Sequence, residues 1–142
     1  MMNIQIKESV LDFFKLERTH WLDESDDSEG NNGELSFGFT PEFFDDNDKS
    51  YDIIFNITLK HREGIELNMG YRAHFVTDAI ISDEFKESQF VFVNSPAIAY
   101  PFLRAYLSNM LLMSGYEPMM LPTINFQKLF NDKKAKGKQE GK

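Results

Sequence analysis

Residues 51–81 read YDIIFNITLKHREGIELNMGYRAHFVTDAII, and their alternation decides the fold. Tyr51, Ile53, Phe55, Ile57 and Leu59 hold odd positions, with Asp52, Ile54, Asn56, Thr58 and Lys60 between them. Past a polar break, Ile65, Leu67, Met69, Tyr71, Ala73 and Phe75 are odd again, alternating with Glu66, Asn68, Gly70, Arg72 and His74. A period of two puts each odd set on one face of a strand. Two such runs joined by a few residues predict an antiparallel hairpin. Cross-strand partners share a face, so odd must pair with odd. A two-residue loop, Glu63-Gly64, pairs odd with even and fails. A three-residue loop, Arg62-Glu63-Gly64, with Gly64 in the left-handed region, restores parity. That register sets His61 opposite Ile65, Lys60 opposite Glu66 and Asp52 opposite His74. Two favourable charged pairs emerge from it without being imposed.

Upstream, ELSFGFTP alternates too: Leu35, Phe37 and Phe39 share one face, Ser36, Gly38 and Thr40 the other, which predicts a half-buried strand. Residues 10–22 fit two templates. Phe14 and Leu16 alternate with Lys15 and Glu17 as in a strand, whereas Val10, Leu11 and Phe14 suit a helix face. Residues 23–34, DESDDSEGNNGE, read as an acidic loop, and DDNDKS at 45–50 as a second acidic break.

Downstream, FVFV at 90–93 is short, aromatic and β-branched, and predicts a brief last strand. Ser95 before Pro96 predicts a helix opening. Pro101 leaves two options: a separate turn at 96–99 with the helix starting near Pro101, or one helix kinked there. Gly115 is a stop signal. Within this helix Phe102, Leu103, Ala105, Tyr106, Leu107, Met110, Leu111, Leu112 and Met113 wrap nearly all round, and Arg104, Ser108 and Asn109 leave a thin polar stripe. A helix on one sheet needs a single apolar face. The second face calls for a second partner, most simply another subunit. GYEPMMLPTINF, residues 115–126, then holds two prolines that argue against a continuous helix, yet it is rich in apolar side chains. Asn125 caps a further helix, FQKLFNDKKAK, with Phe126, Leu129 and Phe130 on one side.

The formal charge of −8 is uneven: residues 133–142 carry five lysines and Glu140, +4, which leaves −12 on the rest. An acidic body argues against nucleic acid as a partner. The lysine run is expected to be a disordered, solubilising tail after a single domain at 1–132. No cysteine is present, so neither a disulfide framework nor thiolate chemistry is expected. MMNIQIKESV lacks the apolar core of a signal peptide, and the longest apolar run is broken by Pro101 and Arg104. A soluble, cytoplasmic protein without membrane insertion is the expectation. Of the three histidines, His20, His61 and His74, no pair has the helical spacing of a zinc site. The acidic runs lack EF-hand spacing, and no phosphate-binding glycine loop occurs. Asp52–His74 reads as a cross-strand ion pair rather than an acid–base pair, because no nucleophile or oxyanion motif accompanies it. The expectation is a protein that is not an enzyme and needs neither cofactor nor metal.

Residues 94–130, NSPAIAYPFLRAYLSNMLLMSGYEPMMLPTINFQKLF, resemble the C-terminal half of the SecB family of export chaperones. The pattern is carried by Pro96, Pro101, Phe102, Arg104, Gly115, Tyr116, Pro118, Leu121, Pro122, Asn125 and Phe126. The 51–81 hairpin fits the family's long hairpin in place and pattern. The resemblance implies an α+β fold: a four-stranded antiparallel sheet with two C-terminal helices packed on one face. It implies a homotetramer, a dimer of dimers, with the first long helix between sheets; Phe102, Tyr106, Leu107, Met110 and Met113 are the expected contacts. It implies an ATP-independent holdase that binds unfolded preproteins in hydrophobic grooves and passes them to SecA. SecB-like chaperones of antitoxins are the alternative. The expected client-binding residues are Tyr116, Met119, Met120, Leu121, Ile124 and Phe126, with Phe37, Phe39, Phe43 and Phe44 on the sheet side. Covering the domain's own core is the competing role for each. The lysine-rich segment after Asn125 departs from the family pattern and puts the tail contact with SecA in doubt.

Overall fold

The computed structural model describes residues 3–18, 33–61, 64–119 and 121–140. Four strands, β1 (Ile4–Arg18), β2 (Gly33–Phe44), β3 (Asn47–His61) and β4 (Ile65–Thr77), precede a one-turn helix α1 (Asp83–Lys86), a π-helical turn (Phe90–Asn94), α2 (Ser95–Met113) and α3 (Phe126–Glu140). The sheet is antiparallel, in the order β1-β4-β3-β2. This is the α+β architecture expected, with α1 and the π turn added.

The β3–β4 register is the one that parity demands: His61 faces Ile65, Lys60 faces Glu66 and Asp52 faces His74. Gly64 has φ 81 and its N–H donates to the His61 carbonyl at 3.0 Å, as a three-residue turn requires. Arg62 and Glu63 lie outside the described residues. The odd face is buried without a gap, Tyr51 to Leu59 on β3 and Ile65 to Phe75 on β4.

β1 settles residues 10–18 as strand. Its alternation is broken at two bulges, between Ile6 and Glu8 and between Leu11 and Phe13. Each bulge inserts one residue and flips the face of those that follow. Ile4, Ile6, Leu11, Phe14 and Leu16 therefore all pack on the core, while Val10 and Phe13 stand on the outer face, 46% and 50% exposed. Phe13 lies over Gly70, where an added Cβ would come within 2.5 Å of the ring. In β2, Leu35, Phe37, Phe39 and Phe43 line the core side. β3 starts at Asn47, inside the acidic stretch expected as a break, after a tight turn at Asp45-Asp46.

Residues 90–93 are not a strand. Phe90–Asn94 is a π-helical turn that runs directly into α2. A short apolar run satisfies either template, and here the sheet is already complete with β1. Ser95 is not the cap either. It sits inside the helix, its Oγ donates to the Phe90 carbonyl at 2.6 Å, and the Tyr51 hydroxyl is then the donor to Ser95 Oγ. α2 runs as one helix through Pro101. It ends in a Schellman motif: Gly115, at φ 91, donates to the Leu112 carbonyl and Tyr116 to the Leu111 carbonyl. Asn125 caps α3, its Oδ1 accepting from the Lys128 N–H at 2.9 Å. α3 continues to Glu140, past residue 132, where the sequence reading ended the domain. Most of the 23–34 loop, His20 and Met120 lie outside the described residues, as do the side chains past Lys134.

Candidate functional site

The alternation of β2 sends Phe37 and Phe39 toward the helices, where they begin a continuous aromatic row. Phe37 touches Phe55 (5.8 Å between centroids), Tyr100 (5.5 Å) and Phe126 (6.4 Å). Phe39 touches Phe126 (5.7 Å) and Phe92 (6.3 Å), and Phe92 stacks on Phe130 (6.1 Å). The row joins β2, the π turn, α2 and α3.

The α2–α3 connection runs beside this row, and α2 tethers it by its backbone. Tyr100 Oη donates to the Pro122 carbonyl at 2.6 Å, and Ser108 Oγ to the Met119 carbonyl at 3.2 Å. Tyr100 and Ser108 are two turns apart on one face of α2, which is why both reach the loop. Burial pushes the Tyr100 hydroxyl pKa up, which keeps it a donor. Leu121 is driven into the core, 1% exposed. Tyr116, Met119 and Ile124 are half-buried and pack against the core from outside.

Of the expected client-binding residues, Leu121 and Phe126 are core in the single chain, and Tyr116, Met119, Ile124, Phe37 and Phe39 are half-buried around them. Phe43 and Phe44 are both half-buried and lie at the other end of β2, where Phe43 packs on Tyr51 (5.8 Å) under the Lys86 ammonium. Tyr100 and Phe92 belong to the row too, although neither is among the expected client-binding residues. Phe92 was lost to the strand reading of 90–93, whereas the spacing of four between Phe126 and Phe130 marked the α3 side.

α2 has two faces. Ala99, Leu103, Leu107 and Leu111 are buried on the sheet, whereas Ile98, Phe102, Leu112 and Met113 are exposed, Phe102 by 51% and Met113 by 82%. Among the expected interface residues, Phe102 and Met113 stand on the free face, Tyr106 and Met110 are half-buried, and Leu107 is fully in the chain's own core.

The outer sheet face carries an ion network around Arg72. Its guanidinium donates to Asp52 at 2.6 Å, Glu42 at 3.0 Å and Asp12 at 3.2 Å, and His74 Nδ1 meets Asp52 Oδ1 at 2.6 Å. The hydrogen bond to Asp52, then that to Asp12, raises the Arg72 pKa further. Asp52 is held across the strands between the Arg72 guanidinium and the His74 ring. Among the described residues no His, Cys, Asp and Glu cluster suits a metal ion, and no helix is long and apolar enough to cross a membrane.

The family model described as preprotein translocase subunit SecB matches residues 32–137. The protein-export protein SecB of Magnetococcus marinus is 38% identical over 50 residues, 34% of this chain and 32% of the relative, so the aligned stretch spans about a third of that protein's length. Among solved structures, a Mycobacterium tuberculosis SecB-like chaperone in complex with a ChAD peptide from the HigA1 antitoxin superposes with a TM-score of 0.67 at 12% identity, covering 85% of this chain and 90% of that one. A protein of unknown function from Streptococcus agalactiae superposes with a TM-score of 0.52 at 11% identity, covering 87% and 99%. The structural likenesses carry the fold. The family model spans far more than half of the sequence, hairpin and helices included, and by it the chain belongs to the SecB family, whose members are chaperones and not enzymes.

Proposed function

We propose that the protein is an ATP-independent holdase that binds unfolded polypeptides along the aromatic row and the α2–α3 connection. The observation that carries the reading is the way the connection is held. Its path is set by backbone tethers at Met119 and Pro122 and by Leu121, so Tyr116, Met119 and Ile124 need not be buried to keep it in place. Apolar side chains on a rigid support are available to a partner, and methionine adapts to many shapes. Apolar burial is worth roughly 25 cal/mol per Å². A few hundred Å² offset the cost of association only when several sites act together. The exposed apolar stripe of α2 supplies the means: Ile98, Phe102, Leu112 and Met113 pack against further copies, and a dimer of dimers joins the grooves. The acidic body keeps such an assembly soluble. In the export role the protein acts in the cytoplasm and hands preproteins to SecA.

The test is suppression of aggregation of a chemically unfolded protein, without nucleotide, by wild type and by a Tyr116→Ser/Met119→Ser variant. Protection by wild type and its loss in a variant of unchanged oligomeric state are expected. Equal protection by both removes the groove assignment.

One observation favours a second reading. A structural neighbour with a TM-score of 0.67 was solved with a peptide from an antitoxin. On that reading the same row serves one dedicated client. Tight binding to an antitoxin encoded beside this protein, with weak protection of unrelated unfolded proteins, would select it.

A further inference from the structure

α3 turns its apolar stripe inward with Phe126 and Phe130, both buried. The next turn of that stripe falls at 133 and 134, three and four residues on. Apolar residues there would seal α3 to the body. The chain has lysines instead, and both reach back to the aromatic row. Lys133 Nζ lies 4.6 Å from the centre of the Phe92 ring, and Lys134 Nζ lies 4.7 Å from that of Phe130. The two rings they cover are stacked on each other at 6.1 Å with 20° between their planes, and Phe92 continues through Phe39 into the proposed groove. Lys133 and Lys134 are themselves exposed, and so is Leu129, at 48%. The end of the row is thus closed by two ammonium groups on ring faces at the protein surface, where each such contact is weak.

We propose that α3 from Phe130 onward is an autoinhibitory strap. Lys133 and Lys134 occupy the open faces of Phe92 and Phe130 in the free chain, and a bound polypeptide reaches this end of the row only when the strap lifts. This inference rests on the holdase reading above and adds a regulatory element to the same groove. Weak contacts suit the task. A client's affinity is reduced by the fraction of chains with the strap open, and removing two exposed cation–π contacts raises that fraction. Glutamine is one atom shorter than lysine, has a similar helix preference and carries no charge, and arginine keeps the cation.

The experiment compares the full-length wild type with Lys133→Gln/Lys134→Gln and Lys133→Arg/Lys134→Arg. Three quantities are read: fluorescence of a dye that binds exposed apolar surface, hydrogen exchange of the 126–134 amides, and affinity and association rate for a fluorescently labelled, permanently unfolded polypeptide. The glutamine variant should bind more dye, exchange faster in α3 and bind the polypeptide about five- to thirtyfold more tightly, mainly through faster association. The arginine variant should stay close to wild type. Dye binding, exchange and affinity unchanged in the glutamine variant would overturn the strap, as would an arginine variant that opens as far as the glutamine one. If wild type binds no unfolded polypeptide at all, the holdase reading fails, and with it the inhibitory role, while dye and exchange still report whether the lysines hold α3 down.

Discussion

Tyr51 carries a polar atom into the most crowded part of the core and is itself fully buried. Its hydroxyl donates to Ser95, which donates in turn to the Phe90 carbonyl, so one short chain of hydrogen bonds joins β3 to the start of α2. Burial pushes the Tyr51 pKa up to about 12, against a small opposing pull from Ser95. The folded state therefore favours the neutral phenol. That stabilisation is complete below pH 10, where the unfolded side chain is also neutral, and it is lost as pH rises from 10 through about 12. In Tyr51→Phe the ring packing survives and one hydrogen bond goes, because Ser95 keeps its bond to Phe90. We expect a loss of about 1 kcal/mol at pH 7 in urea unfolding. The variant should also lose stability less steeply between pH 10 and 12, and Tyr100, whose pKa is raised as well, leaves a residual slope. An unchanged slope would show that Tyr51 ionises without cost in the fold.

At the scale of elements, legibility follows the regularity of the pattern. The β3–β4 hairpin obeys a strict period of two with no insertion, so parity alone gave its register and its turn. β1 breaks the same rule twice. Its bulges place Val10 and Leu11 in a sequence that reads equally as a helix face, and only pairing with β4 resolves it. The Phe90–Asn94 turn hid for another reason. Its apolar pattern carries no period, and what holds it is the non-local Tyr51–Ser95–Phe90 chain. The turn at Gly64 allows a direct test of the parity argument. At φ 81 a side chain costs roughly 1–2 kcal/mol, more for a β-branched one. Gly64→Val should lower the unfolding midpoint accordingly, and the smaller loss in Gly64→Asn should rank between Val and wild type. Equal midpoints for Val and Gly would mean that the turn relaxes into another form.

At the scale of the whole molecule, the decisive fact is that α2 is apolar on two sides while the described residues cover only one. The residue count around the helix made the surplus visible in the sequence. It could not say which half would meet the chain's own sheet, because a composition that is apolar all round carries no phase. Leu107 is thus expected at an interface, yet in the single chain it lies on the buried side of α2, whereas Ile98 and Leu112 stand free. The candidate groove was legible to the same degree: its loop was marked by prolines and methionines, but Phe92 and Tyr100 join it only through tertiary packing. The free face makes a prediction about assembly that the buried face does not. Phe102 and Leu112 are 51% and 60% exposed in the single chain, so charges there can be solvated without disturbing the core. In an assembly that buries them, the same charges are desolvated and cost several kcal/mol per interface. Phe102→Glu/Leu112→Glu should therefore leave the far-UV spectrum intact and convert the proposed tetramer, by sedimentation or light scattering, to smaller species. Holding should weaken in parallel, since in the proposed assembly joined grooves supply the multivalency that a sequence-tolerant binder needs. A wild type that sediments as a monomer, or a variant that stays tetrameric, would place the assembly on some other surface and leave the apolar face of α2 to the client itself.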